Sequence, residues 1–155
     1  MYGKGIGTYR ETDVITADPK RLVIMCYEGV IVHLEIAKKR FQAGQYEAKA
    51  KAVIKAQDFL NELMHALNFD KGGEIAKNLD SLYNYMARRI ICAEANRTVE
   101  PFDEVIGLLK ELKEAWEQIF FGNKRRLSDV DAAAPFVAAK RAGGERTAAY
   151  GPHAR

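Results

Sequence analysis

From Asp18 to about Phe121 the apolar residues recur every three or four positions, the spacing that gathers them on one side of an α-helix. The first run starts cleanly. Asp18 suits an N-cap, because its carboxylate can accept from an otherwise unpaired backbone N–H. Pro19 suits the next position, where a missing N–H costs nothing. The spacing predicts a helix from there to about Phe41, ended by Gly44. A second helix covers roughly Tyr46 to Asn68, with Val53, Ala56, Leu60, Leu63 and Leu67 on one stripe. The segment Phe69-Asp-Lys-Gly-Gly breaks the chain. A third helix then runs from Gly73 or Glu74 to about Asn96 on Ile75, Leu79, Leu82, Met86, Ile90 and Ala93. Thr98 is the expected cap of a fourth, with Pro101 near its start. That helix reaches about Phe121 on Phe102, Val105, Leu109, Leu112, Trp116 and Ile119.

No segment has the two-residue period of a strand, and the connections are short. Short connections make neighbouring helices antiparallel, so the predicted fold is all-α, an up-down-up-down four-helix bundle. Residues 18–121 form it. Residues 1–17, with three glycines and no helical period, read as an N-terminal arm. Residues 122–155 are rich in Ala, Gly and Arg, with Pro135 and Pro152 as breakers. They carry little apolar bulk to offset chain entropy, so this tail is expected to be mostly disordered.

The pattern also holds more apolar positions than a bundle uses. One stripe about three positions in seven wide suffices. In the first helix, Leu22, Cys26, Val30 and Ala37 lie along one line, with Val23, Tyr27, Leu34 and Phe41 beside it. Met25, Gly29, Val32 and Ile36 lie on a different side. In the third helix Tyr83 and Tyr85 are two positions apart and cannot share a face. Tyr83 flanks the core stripe, while Tyr85 falls on the polar line of Asn78, Ser81 and Arg88. Ile54 and Phe59 lie off the stripe of the second helix. Contiguous exposed apolar surface of this kind marks a partner site, and an amphipathic helix is a fitting occupant.

Composition adds little to this and removes several alternatives. No apolar run approaches a membrane span, and the first residues lack the apolar core of a secretory signal. Cys26 and Cys92 sit within helical patterns and read as reduced thiols of a cytoplasmic protein. The net charge is +3, but residues from Gly122 onward hold seven Lys or Arg against three Asp or Glu. The bundle is nearly neutral, so no nucleic-acid face is expected. Glu62 and His65 have the Glu-x-x-His spacing of di-iron bundles. Such a site needs a second motif and further inward glutamates, and the third and fourth helices contain no histidine. His33 raises a phosphotransfer reading, but its basic neighbours Lys38 and Lys39 are loosely placed. No nucleophile–base pair or phosphate-cradling glycine loop is present, so no enzyme activity, metal or cofactor is expected.

Four blocks carry a family resemblance: residues 17–30 (ADPKRLVIMCYEGV), 55–63 (KAQDFLNEL), 72–90 (GGEIAKNLDSLYNYMARRI) and 103–116 (DEVIGLLKELKEAW). In order and spacing they resemble the flagellar secretion chaperone family FliS. The resemblance implies a small antiparallel helical bundle without catalytic activity. It also implies a cytoplasmic chaperone that holds the disordered C-terminal region of flagellin, blocks premature polymerisation and aids delivery to the flagellar type III export gate. Members of the family can lay an N-terminal arm over the client groove, and Ile6 and Tyr9 hold the matching positions here. Cys26 departs from the family, standing where a bulky aliphatic is common. The exposed apolar set then gives the expected client contacts: Met25, Val32, Ile54, Phe59 and Tyr85, with Arg88 available for client carboxylates. The alternative is a phosphotransfer bundle using His33, or an adaptor for a folded signalling protein.

Overall fold

The computed structural model of the chain describes residues 18–122. Four helices follow one another: α1 Pro19–Gln42, α2 Tyr46–His65, α3 Phe69–Asn96 and α4 Glu100–Glu117. No strand occurs among the described residues. The expected arm, with Ile6 and Tyr9, and the tail beyond Gly122 lie outside the described residues.

The caps explain most boundaries. Asp18 accepts from the Arg21 N–H at 2.8 Å and Pro19 opens α1, as its sequence predicts. At the other end Gly44 takes φ 78°, and two backbone bonds close a Schellman motif: Gln45 N–H to the Arg40 carbonyl and Gly44 N–H to the Phe41 carbonyl. α2 stops at His65, short of the expected Asn68, because Asn68 instead caps the next helix by accepting from the Lys71 N–H at 2.9 Å. α3 therefore gains a first turn that the glycines appeared to forbid. It breaks at Gly73, whose φ of 53° and ψ of −129° suit glycine, and then continues unbroken to Asn96. Thr98 is not the cap of α4: Val99 holds that position without a side-chain bond, and the Thr98 hydroxyl accepts only weakly from the Glu100 N–H at 3.4 Å.

The helices pack in a ring, α1 against α2 and α4, and α3 against α2 and α4. Ion pairs fix the antiparallel registers. Lys38 meets Asp103, Glu35 meets Lys110 and Glu28 meets Lys113 between α1 and α4. Lys49, almost wholly buried, meets Glu94 at 2.9 Å between α2 and α3. The interior is built from the expected stripes, with Tyr27, Val30, Leu34, Leu60, Leu63, Met86, Ile90, Val105 and Leu109 sealed from solvent. Burial of each such side chain contributes roughly 1.5–3 kcal/mol.

Two stripe positions differ from expectation. Ile75 is 54% exposed, since it lies just past the break at Gly73, and Ala76 takes the core position. Ile119 is 40% exposed while Phe120 is buried. Helix geometry is the cause: at about 100° per residue Phe120 comes back within about 40° of Trp116 and about 20° of Leu109, whereas Ile119 lies about 80° from Leu109. The Phe120 ring stacks on the indole at 5.3 Å, and the chain closes there in a π-helical turn over Gln118–Gly122.

α1 and α2 approach closely at Gly29. A Cβ there would lie 2.6 Å from the Phe59 ring, which also stacks on His33 at 5.6 Å. Gly29→Ala should gain about 1 kcal/mol of helix propensity. It must also displace the ring, at about 1–3 kcal/mol. The expected net result is a lower urea midpoint, reversed to neutral or better in a Phe59→Leu background. A stabilised Gly29→Ala protein with Phe59 in place would show that the contact yields freely.

Candidate functional site

Nothing in the described bundle has the geometry of a catalytic centre. No three His, Cys, Asp or Glu side chains among the described residues converge as a metal site requires. Glu62 is exposed and His65 half-buried at the end of α2. His33 is half-buried in the α1–α2 seam, with Nδ1 2.8 Å from the Gly29 carbonyl. A carbonyl only accepts, so Nδ1 carries the proton and donates. Cys26 and Cys92 form no disulfide with each other, and both are half-buried. No described helix is long and apolar enough to cross a membrane.

The exposed apolar side chains are the remaining candidates, and the bundle distributes them over three faces. Val32 is 51% exposed on the outer side of α1, with Ile36 one turn further on and the half-buried Met25 two turns before it. Ile54 is 58% exposed on α2. It is turned about 140° from Phe59, which faces α1, and about 180° from buried Leu63, so it points away from the core. Phe59 itself is half-buried between Gly29 and His33, leaving only part of its ring to solvent.

Sequence reasoning overlooked Ile91, which is also 58% exposed. It lies about 120° from Tyr85, whose side of α3 faces α4, so Ile91 is on a different side of α3 from the α3–α4 seam. The Lys49–Glu94 pair sets the level of Ile54 and Ile91. Moving five residues along α2 and a matching five back along α3 brings Ile54 within about 3 Å of Ile91 along the bundle axis. The signal was present in the sequence. Ile90 and Ile91 are adjacent, and two adjacent residues of a helix cannot both point into one core.

Tyr85 is engaged differently from Val32 and Ile54. Its hydroxyl donates to Glu104 Oε2 of α4, and the Arg89 Nε donates to Glu104 Oε1 at 2.7 Å. These two bonds hold the Glu104 carboxyl below the usual carboxylate range, the tyrosine contributing most. The same bond pushes the Tyr85 phenol up. The clasp fixes the ring against the α3–α4 seam with one edge open, and exposed Arg88 lies beside it in sequence. The structure thus places Met25 and Val32 on one face, Ile54 on a second, and Tyr85 with Arg88 on a third.

A family model described as "Flagellar protein FliS" matches residues 2–123. The flagellar secretion chaperone FliS of Salmonella typhimurium is 39% identical over 110 residues, which is 70% of this chain and 82% of the relative. The protein of the same name from Vibrio cholerae is 35% identical over 109 residues, 70% of this chain and 80% of its own. That of Bacillus subtilis is 30% identical over 110 residues, 71% of this chain and 81% of its own. The helical bundle, the apolar excess on its outer faces and a match that spans most of the sequence agree: the chain belongs to the FliS family, a non-enzymatic family of chaperones.

Proposed function

We propose that the chain is an export chaperone that binds the disordered C-terminal region of flagellin in the cytoplasm. In this reading it prevents premature polymerisation and aids delivery to the flagellar type III export apparatus, whose gate is a further partner. Family membership supports the chaperone role. The observation that carries the mode of binding is the spread of exposed apolar side chains, Val32, Ile54, Ile91 and Tyr85, over separate faces. A folded partner docks on one patch. A disordered segment loses conformational entropy on binding and recovers it by covering a large, distributed surface. Met25 and Val32, Ile54, the open part of Phe59 on the other side of α2, and Tyr85 with Arg88 are the proposed contacts. Ile6 and Tyr9 of the arm are the proposed cover of that surface in the client-free chain.

Titration calorimetry of the full chain with the C-terminal segment of its cognate flagellin tests this, with circular dichroism on the same mixture. The expected result is one-to-one binding with a gain of helix. Ile54→Asp should weaken binding by about tenfold or more, equivalent to about 1.4 kcal/mol. Its unfolding midpoint should hardly move, because an exposed substitution changes stability by only about 0.5 kcal/mol. Absence of binding by the wild-type chain would remove the flagellin reading.

A further inference from the structure

The last α-helical turn of α4 is acidic, while Lys20 and Arg21 of α1 lie over the Phe121 ring just beyond it, at 5.9 and 5.2 Å. Carbonyl groups at a helix C-terminus favour a cation nearby. The last turn of α4 contains no basic residue, and it carries Glu114 and Glu117. Lys113 is shared between two carboxylates, at 3.3 Å from Glu117 and 3.7 Å from Glu28 of α1. Glu114 has no ion-pair partner among the described residues. These carboxylates border a cleft of about 470 Å³ between α1 and α4, with Ile31 and half-exposed Val32 also lining it. Lys110 and Lys113 line it too, so the rim is acidic only on balance; Glu114 is its carboxylate without an ion pair among the described residues, and Ile31 and Val32 give the cleft an apolar floor.

The sequence supplies three further cations immediately afterwards. The described chain ends at Gly122, just past Glu117, and Lys124, Arg125, Arg126 and Leu127 follow. We propose that the segment from Lys124 to Val130 folds back into the α1–α4 cleft of its own chain, its three cations on Glu28, Glu114 and Glu117 and its Leu127 and Val130 over Ile31 and Val32. The length is sufficient. The α1–α4 ion pairs set Val32 about 17 Å back along the axis from Gly122. The eight residues to Val130 span up to about 26 Å when extended. Tethering supplies an effective concentration of order millimolar, so weak contacts suffice to fill the cleft. Guanidinium groups suit the rim because each can grip a carboxylate with two parallel bonds. The proposal does not depend on the flagellin reading and is tested without any client.

The measurement is an amide ¹H–¹⁵N spectrum of the full chain beside its Lys124→Ser, Arg125→Ser, Arg126→Ser variant. The expected result is that the Glu28 and Val32 amides of α1 move while those of Ile54 and Ile91 stay. The difference should at least halve at high salt, since screening shortens to about 3 Å at 1 M. Glu114→Lys, an exposed change that breaks no ion pair of the bundle, should shift the Arg125 and Arg126 amides in return. Unmoved α1 amides in the tail variant would overturn the proposal. So would shifts that grow with protein concentration, which would assign the cleft to the tail of a second copy.

Discussion

Tyr83→Ala is expected to cost about 3–5 kcal/mol, the range for deleting a large buried aromatic side chain. That is a large share of the roughly 5–15 kcal/mol that stabilises an ordinary domain. Tyr83 is wholly buried, and its hydroxyl lies 2.6 Å from that of Tyr27, with the rings edge-on at 6.3 Å. The pair crosses the bundle from α1 to α3, the two helices that do not neighbour each other in the ring. Two effects add in the alanine variant, a cavity at the centre and a Tyr27 hydroxyl left without this partner. Phenylalanine separates them. Tyr27→Phe takes this partner from the buried Tyr83 hydroxyl and should cost about 1–3 kcal/mol, while Tyr83→Phe should cost less, because Trp116 also bonds the Tyr27 hydroxyl. The double variant removes both hydroxyls and should cost clearly less than the two singles together. Urea unfolding of the four proteins reads the coupling. Strict additivity would mean that the hydroxyls act independently and that the bond contributes nothing of its own.

The same pair shows how far the sequence could be read. The period of three and four located all four helices and most of their core faces, because helix burial depends on a repeating angle that the spacing records directly. It placed Tyr83 at the edge of the core, whereas the side chain lies at its centre. Two apolar residues, Leu82 and Tyr83, competed for one place between Leu79 and Met86; Tyr83 takes it and Leu82 is half-buried. The hydroxyl partner of Tyr83 is 56 residues away and could not be read from the spacing. Ile119 failed in the same way: Phe120, four after Trp116, lies nearer the core line than Ile119. The extra turn at the start of α3 depended on Asn68 capping forward rather than extending α2.

The candidate surface was legible in kind but not in arrangement. Counting apolar positions beyond the core need identified Val32 and Ile54, both of which the structure leaves half-exposed or more. The count could not show that Phe59 sits in the notch over Gly29, since that requires knowing how closely α1 and α2 approach. It could not show the Tyr85–Glu104–Arg89 clasp either, which joins residues of two helices. Ile91 was overlooked because its neighbour Ile90 accounted for the stripe, although adjacency itself forces one of the two outward.

Alkaline pH should destabilise the bundle through its buried phenols. Burial pushes Tyr27 up to about 12, the Tyr83 hydroxyl offsetting part of the effect, and burial raises Tyr83 as well. In the unfolded chain both phenols ionise near the ordinary value of about 10. Below that pH both states hold the protons and stability is unaffected. Above it the unfolded chain releases protons that the folded chain retains. Stability therefore falls as pH rises from about 10 and is lost progressively through the folded value near 12. Each unit of separation corresponds to about 1.4 kcal/mol, so the shift of Tyr27 from 10.0 to about 12 accounts for about 2–3 kcal/mol at the top of this range, and Tyr83 acts in the same direction. Lysines titrate in the same interval and contribute their own loss, so the decisive comparison is with Tyr27→Phe/Tyr83→Phe. That variant should show a shallower decline in unfolding free energy between pH 9 and about 12. Equal slopes for the two proteins would mean that the phenols are solvated before the bundle opens, which a sealed core does not permit.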